Sequence, residues 1–146
     1  MSGLAPRALE EIVRPRRLSG VVVRPLNFTV RGQLSSVQRV LFICNQNRLR
    51  SPTAERVFST WPGIEVASAG LASDALVPVT PELLQWADTV FVMEKSHRNR
   101  LRRKYKSHLK SRRLICLNVP DQYEFMDPEL VRLLTAIVPR YLTNVE

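Results

Sequence analysis

The apolar residues of this chain gather in four short runs, and each run predicts a β-strand. The runs occupy residues 40–43, 64–67, 89–93 and 114–119. Short, nearly continuous apolar runs are typical of strands that are buried on both faces of a sheet. Because no run approaches the roughly 20 apolar residues that span a bilayer, none of them predicts a transmembrane helix.

Helix-start signals separate these runs. Ser51 and Pro52 predict a helix after the first run, with Ser51 as its N-cap and Pro52 at its first position. Thr80 is predicted to cap a second helix, residues 95–107 to form a third, and Asp127 to open a fourth. The fourth helix carries apolar residues at helical spacing, namely Leu130, Leu133, Leu134, Ile137 and Val138.

This alternation of strand and helix predicts an α/β fold, with a four-stranded parallel sheet flanked by helices. In such folds ligands bind beyond the carboxyl ends of the strands. The loop that follows the first strand begins at Cys44. We therefore expect a ligand site at that loop.

Residues 1–36 differ in composition from the rest of the chain. They contain Pro6, Pro15 and Pro25, six Arg residues and no clear apolar period. We predict that residues 1–36 form a flexible, basic N-terminal extension and that residues 37–146 form the working domain.

Composition narrows the class of protein. The 146 residues are 45% hydrophobic, which is ordinary for a single globular domain. The N-terminus lacks an apolar stretch of signal-peptide length, and two cysteines do not make a disulfide framework, so we expect a cytoplasmic protein. His97 and His108 lack metal-ligand spacing and are predicted to lie on the surface. No metal or other cofactor is therefore expected.

Positive charge is concentrated in one segment. The formal net charge is +9, and residues 95–113 contain ten Lys or Arg and no acidic residue. Such a run is usually a solvated helix face, but repulsion among these cations also favours an anionic partner. Nucleic acid bound through Lys95–Arg113, an acidic protein and a polyphosphate all fit, whereas a membrane partner is not expected.

The loop between the first strand and the first helix carries candidate catalytic residues. Cys44 begins it, Arg50 ends it and Ser51 follows. A loop at a helix N-terminus presents backbone N–H groups to an anion and stabilises a thiolate at Cys44. The planar guanidinium of Arg50 suits two phosphate oxygens. The spacing alone also fits a buried structural cysteine, but its position between a strand and a helix favours a nucleophile.

Residues 40–58, VLFICNQNRLRSPTAERVF, resemble the signature of the low-molecular-weight protein tyrosine phosphatase family. The resemblance continues at residues 66–70, 87–93 and 119–123, and it covers about residues 37–142 in order. It implies a phosphotyrosine protein phosphatase I-like fold. By this resemblance Cys44 is the nucleophile, Arg50 the phosphate clamp and Ser51 the partner of the thiolate. Asn47 matches an asparagine that braces the loop. The residues implied to bind substrate are Asn45, Gln46, Asn47, Arg48, Leu49, Ser51 and Tyr123.

The chain departs from the family pattern at several positions. Gln46 stands where the family usually has Gly, and Leu49 where it often has a second cysteine. Arg48 replaces an apolar residue and suits a more highly charged substrate than a single phosphotyrosine. Only 16 residues separate Gly70 from Ala87, fewer than the family usually has, so we expect a more open site.

The predicted reaction needs a proton for the leaving oxygen and then a base for the attacking water. Asp121 and Asp127 are the candidates, and the resemblance favours Asp121 because Asp127 has an alternative role as a helix N-cap. Tyr123 either lines the pocket or lies on the surface.

The predicted function is phosphomonoester hydrolysis through a cysteinyl-phosphate intermediate. The resemblance implies a protein tyrosine phosphatase-like activity on tyrosine-phosphorylated protein, and the substrate is expected to be a phosphorylated protein or another anionic phosphate ester. The alternative is a phosphate- or nucleic-acid-binding module on a phosphatase-like fold, with little turnover. An arsenate reductase is a third possibility, but that chemistry relays electrons through further cysteines, and here only Cys116 remains.

Overall fold

The computed structural model describes the backbone of residues 16–18 and 21–23, and residues 37–142. These ranges contain the strands β1 (Arg16–Leu18), β2 (Val21–Val23), β3 (Gln38–Cys44), β4 (Ile64–Gly70), β5 (Thr89–Val92) and β6 (Arg113–Cys116). Their α-helices are α1 (Arg50–Phe58), α2 (Pro81–Trp86), α3 (Lys95–Tyr105) and α4 (Pro128–Ile137). Short 3-10 helices continue α3 at Lys106–Leu109 and α4 at Val138–Tyr141.

The predicted four-stranded parallel sheet is confirmed. The strand order across the sheet is β1-β2-β4-β3-β5-β6. Strand β3 pairs in parallel with β4 on one side and β5 on the other, and β5 pairs in parallel with β6. The strand that ends at Cys44 therefore lies in the middle of the parallel part of the sheet.

Strands β1 and β2 extend this sheet beyond the prediction. They pair with each other in antiparallel fashion, and Val21 lies opposite Ala67 on β4, also antiparallel. Two three-residue strands carry too short a pattern to be recognised in the sequence. The predicted flexibility of residues 1–36 stays a prediction, because most of that segment lies outside the described residues.

Helices cover both faces of the sheet. Buried residues of α1 and α4 pack with Phe42 on one face, where the Phe42 ring stacks between Phe58 and Phe91 with centroids 5.8 and 5.3 Å away. Residues of α2 and α3 form the core on the other face with Leu41 and Ile43. The alternation along β3 thus supplies both cores, as expected of a central strand with two buried faces.

Two of the predicted helix caps are confirmed and one is wrong. Thr80 accepts a hydrogen bond from the backbone N–H of Leu83, and Asp127 accepts one from Glu129. Ser51 is not an N-cap, because α1 begins at Arg50 and its cap position, Leu49, makes no side-chain hydrogen bond. The hydroxyl of Ser51 bonds to other side chains inside the loop.

The carboxyl ends of β3, β5 and β6 meet at one edge of the sheet. Backbone hydrogen bonds from Met93 to Ile43 and from Val119 to Met93 tie together the chain segments that leave these strands. Three chain segments therefore converge at this edge, where the sequence predicted a ligand site. They are residues 44–50, 93–94 and 117–127. Among the described residues, no helix is long and apolar enough to cross a membrane.

Candidate active site

The loop of residues 44–50 is held from outside by the short segment that follows β4. Backbone N–H groups of residues 71, 72 and 76 donate to the carbonyl oxygens of Cys44, Asn45 and Gln46, with N···O distances of 3.1, 2.8 and 3.2 Å. The segment of residues 71–76 is part of the short connection noticed in the sequence. Its backbone therefore fixes the position of the loop.

These bonds determine where the loop amides point. In a trans peptide the N–H lies opposite the carbonyl of the same peptide unit, and the described residues contain no cis peptide. The N–H groups of residues 45–47 consequently point away from the segment of residues 71–76. No described residue accepts a hydrogen bond from the backbone N–H groups of residues 45–49. Unpaired amides in a loop at a helix N-terminus are able to bind an anion, and we call the loop of residues 44–50 the cradle.

Cys44 lies at the base of this cradle. Its side chain is 3% exposed, and its Sγ lies 3.0 Å from the Oγ of Ser51. Asn47 donates from Nδ2 to Ser51 Oγ and to Ser68 Oγ, each at 3.0 Å. With Ser51 Oγ accepting from Asn47, its own proton has two acceptors within reach, the sulfur at 3.0 Å and the carbonyl oxygen of Ala69 at 3.4 Å.

Asn47 braces the loop from inside, as the family resemblance implies. Its φ is +56°, a left-handed conformation that Asn tolerates better than most residues. Ser68, which receives one of its hydrogen bonds, donates in turn to Glu55 Oε1 at 2.5 Å. Both Ser68 and Glu55 are buried. The loop is therefore linked through buried polar groups to β4 and α1.

Arg50 is buried beside the cradle and is oriented by its Nη1 atom. Nη1 donates to Glu94 Oε2 at 2.6 Å and to the carbonyl of Val119 at 2.9 Å. Among the described residues, no hydrogen bond involves Nε or Nη2 of this side chain. That edge is the part of a guanidinium that grips two oxygens of a phosphate.

Of the two candidate acids, Asp121 is the one that the structure places at the site. Its Oδ1 lies 3.7 Å from Arg50 Nε, and its side chain is 65% exposed. Asp127 instead caps α4, where its Oδ1 accepts from the N–H of Glu129 at 2.9 Å. Asp121 therefore faces the free edge of Arg50, whereas Asp127 is occupied by a structural role.

The two unusual loop residues, Gln46 and Arg48, are exposed at the rim. Gln46 has no positive φ, so the loop accommodates a side chain where the family usually has glycine. Arg48 donates weakly to Gln46 Oε1 at 3.4 Å and to the carbonyl of Asp74 at 3.5 Å. A second exposed arginine reaches the loop from α3, because Arg100 Nη1 donates to Asn45 Oδ1 at 3.0 Å. The rim thus carries two guanidinium groups beyond Arg50.

Two residues that hold the loop and Arg50 in place were missed in the sequence analysis. Glu94 follows β5 at the carboxyl edge of the sheet, and that position was an available signal. Nothing in the sequence distinguished Thr53 from the other residues of its helix. In the structure its Oγ1 donates to the carbonyl of Leu49 at 2.7 Å and accepts from the N–H of Met126 at 2.8 Å. Thr53 therefore joins the loop to the segment that carries Asp121.

His97 is not on the surface, so that prediction was wrong. It is 3% exposed, and its Nδ1 accepts from the backbone N–H of Glu94 at 3.2 Å while the Glu94 carboxylate accepts from the His97 backbone N–H. Burial lowers the pKa of His97 below 6.5, and the nearby Arg50 and Arg100 act in the same direction, whereas Glu94 and Asp121 raise it. The described residues contain no group of three His, Cys, Asp or Glu side chains that could hold a metal ion.

Comparison with known proteins gives the fold of the chain. No protein-family model and no curated protein sequence matches it. Among solved structures, the tyrosine phosphatase Wzb from Escherichia coli K30 superposes with a TM-score of 0.60 and 22% identity, over 72% of this chain and 96% of Wzb. The YwlE arginine phosphatase from Geobacillus stearothermophilus gives 0.57 and 21%, over 70% of this chain and 92% of YwlE. A low-molecular-weight protein tyrosine phosphatase from T. tengcongensis gives 0.57 and 23%, over 71% and 99%.

The chain therefore has the α/β fold of the low-molecular-weight protein tyrosine phosphatases, as the sequence resemblance predicted. Its matches span nearly the whole length of those proteins and about seven tenths of this chain. At these identities the similarity defines the fold, and the chemistry has to be argued from this chain's own residues.

Proposed function

We propose that this protein is a phosphomonoester hydrolase that works through a cysteinyl-phosphate intermediate. The observation that carries the proposal is the cradle of unpaired amides at residues 45–49, with Cys44 at its base and the free edge of Arg50 beside it. A dianionic phosphate satisfies these donors together, and its phosphorus then lies next to the sulfur.

In the first step the Cys44 thiolate attacks phosphorus and the bond to the leaving oxygen breaks. Asp121, in its protonated form, gives its proton to that oxygen. Arg50 and the loop amides stabilise the charge on the equatorial oxygens of the transition state, while Glu94 and Val119 keep the guanidinium in place.

In the second step Asp121 takes a proton from water, the water oxygen attacks phosphorus, and the sulfur–phosphorus bond breaks. Sulfur leaves as a thiolate, and the hydroxyl of Ser51 at 3.0 Å stabilises it by hydrogen bonding. Inorganic phosphate is released and the enzyme returns to its starting state.

The substrate class follows from the same residues and from the structural neighbours. Those neighbours are named as tyrosine and arginine phosphatases, so a phosphorylated protein is the first substrate to test. Arg48 and Arg100 at the rim favour a substrate with further negative charge. Tyr123 is half-buried against the core, and we propose that it lines the pocket. A cytoplasmic location remains part of this proposal.

The first prediction concerns the nucleophile. Cys44→Ser should abolish hydrolysis of p-nitrophenyl phosphate, with a fall in kcat of about 10⁴-fold or more, because a serine hydroxyl lacks the thiolate. The control is Cys116→Ser on β6, which should retain wild-type turnover. Residual activity in Cys44→Ser at more than a few per cent of the wild-type rate would rule out this mechanism.

The second prediction separates the two aspartates. Asp121→Asn should lower kcat by roughly a hundredfold or more, because the leaving oxygen then departs unprotonated. Asp127→Asn keeps a helix-capping side chain and should change kcat by less than about threefold. Steady-state kinetics with p-nitrophenyl phosphate and with a substrate of poorer leaving group measure both effects. The opposite ranking would assign the acid to Asp127.

A second candidate function is a phosphate- or nucleic-acid-binding module with little turnover. The observation in its favour is that none of the ten cations in Lys95–Arg113 forms an ion pair with an acidic residue among those described. Absent turnover of p-nitrophenyl phosphate, together with salt-sensitive binding of RNA or DNA, would favour this function.

A further inference from the structure

The ten cations of residues 95–113 are not equivalent in the structure. Arg112 is occupied by the carbonyls of Leu84 and Gln85, at 2.8 and 2.5 Å, and Arg113 by the carbonyl of Tyr141 at 2.8 Å. These two residues tie β6 to its neighbours. They are structural and do not belong to a free basic surface.

A second subset lines a groove on the outer side of α3. The groove has a volume of about 530 Å³, and we call it the basic groove. Its lining residues are Asn99, Arg102, Arg103, Lys106, Leu109 and Lys110. The four cations among them are exposed, and none hydrogen-bonds to or pairs with a described residue. Four like charges around one concavity repel one another, and an anionic occupant relieves that repulsion.

Arg100 lies between the basic groove and the cradle. Arg100 contacts Asn45 of the loop and lies three residues before Arg103, so these two side chains are neighbours on the helix surface. From Arg100 to Lys110 the chain covers at most about 18 Å, at roughly 1.5 Å per residue in α3 and roughly 2.0 Å per residue in the 3-10 helix that follows. An extended peptide covers that length with about five residues.

The composition of the groove favours a peptide over a nucleic acid. Binding of single-stranded nucleic acid relies on exposed aromatic rings that stack with bases. The one aromatic residue of this segment, Tyr105, is half-buried, donates to the carbonyl of Val79 and has the ammonium of Lys104 5.5 Å from its ring centroid. The groove instead offers the aliphatic parts of its Arg and Lys side chains, which suit contact with a peptide.

We infer that the basic groove binds acidic side chains of a phosphoprotein substrate, within about five residues of the phosphorylated residue held in the cradle. This inference rests on the proposed phosphatase function and names its substrate class. The groove supplies binding energy for acidic sequences, whereas the cradle supplies the chemistry.

The test compares two phosphotyrosine peptides of equal length. In the first peptide Glu occupies the third, fourth and fifth positions before the phosphotyrosine and the third, fourth and fifth positions after it. The second peptide has Gln at the same six positions. The wild-type protein should hydrolyse the Glu peptide with a kcat/KM about tenfold higher at low ionic strength, mainly through KM, and the preference should shrink at high salt.

The variant that probes the groove is the double substitution Arg102→Glu and Arg103→Glu. It should remove the preference for the Glu peptide while leaving kcat/KM for p-nitrophenyl phosphate within about twofold of wild type, because that substrate is too small to reach the groove. The matched control, Arg132→Glu with Arg140→Glu, makes the same change in net charge on the opposite face of the sheet and should retain the preference.

Three results would overturn the inference: equal kcat/KM for both peptides, a preference that survives in the groove variant, or a single-stranded RNA oligonucleotide that binds more tightly than the Glu peptide and depends on Arg102 and Arg103. Absence of p-nitrophenyl phosphate turnover would refute the proposed function. Fluorescence anisotropy with unphosphorylated Glu and Gln peptides then tests the groove by itself, and equal affinities would refute the groove as well.

Discussion

Within the described part of the chain, the side chain of Arg50 makes both of its hydrogen bonds through one nitrogen. Its Nη1 is committed to Glu94 and Val119, and its other edge faces Asp121 without a hydrogen bond. The sequence singled out Cys44, Arg50 and Ser51 by their loop, and the family resemblance implied Asn47; all four lie in one short segment, so their proximity is local. Their roles stay a prediction. Glu94 was missed, because its contact with Arg50 spans 44 residues and depends on how two strands pair.

The burial of His97 predicts how the stability of the protein depends on pH. Since burial lowers its pKa in the folded protein, the unfolded chain binds a proton more readily as the pH falls. The stability that neutral His97 contributes is present above pH 6.5 and is lost as the pH falls from there through the lower pKa of the folded state. His97→Asn keeps an acceptor and removes the titration.

Urea unfolding between pH 7.5 and 5 measures this difference. The free energy of unfolding of the wild type should decrease over that interval more than that of His97→Asn. Parallel curves for the two proteins would show that His97 is not the titrating group, because the remaining ionisable residues are common to both.

At the scale of elements, the end of β4 and the loop of residues 44–50 approach too closely for a side chain at Gly70. A Cβ at Gly70 would lie 2.6 Å from the carbonyl oxygen of Asn45 and 2.9 Å from the amide nitrogen of Asn47. Because both signals are local, the apolar runs predicted all four parallel strands, and start signals predicted α1, α2 and α4, although the cap given for α1 was wrong. They did not predict the hydrogen bonds between residues 71–76 and the loop, because these arise only when β3 and β4 are side by side.

Gly70→Ala tests this approach. It should destabilise the fold by roughly 2 kcal/mol, because backbone atoms have to move to admit the methyl group. It should also lower kcat/KM by tenfold or more, since two of the three atoms that the new Cβ meets belong to the loop of residues 44–50, and the third, Ala75 Cβ at 2.7 Å, belongs to the segment that holds it. The control is Gly63→Ala, whose Cβ meets nothing within 4 Å but whose φ is +82°. That variant should lose about 1 kcal/mol and keep wild-type turnover. Unchanged kinetics in Gly70→Ala would show that the loop tolerates displacement.

For the whole molecule, the parallel sheet ends at β4, where β1 and β2 add an antiparallel edge. An exposed edge strand presents unpaired backbone groups to other chains. Sequence composition separated residues 1–36 from the rest but gave no sign of this pairing, because two strands of three residues acquire their conformation from the edge they join.

Deletion of residues 1–36 therefore has a specific expected outcome. The shortened protein should hydrolyse p-nitrophenyl phosphate within about threefold of the wild-type kcat/KM, because the cradle lies at the carboxyl ends of β3, β5 and β6. It should self-associate more strongly through the uncovered edge of β4. Light scattering coupled to size-exclusion chromatography measures association. A monomeric, folded deletion protein with unchanged thermal stability would contradict the role given to β1 and β2.

The hydrogen bonds to the loop carbonyls make hydrogen exchange a way to detect an anion bound in the loop. Because the outward carbonyls are held by residues 71–76 while the amides of residues 45–49 remain unpaired, deuterium from the solvent should replace their protons rapidly even though the surrounding strands are protected. An oxyanion in the cradle accepts those same N–H groups and should slow the replacement there. Isotope uptake by this one peptide segment thus reports whether the cradle is filled, independently of any turnover.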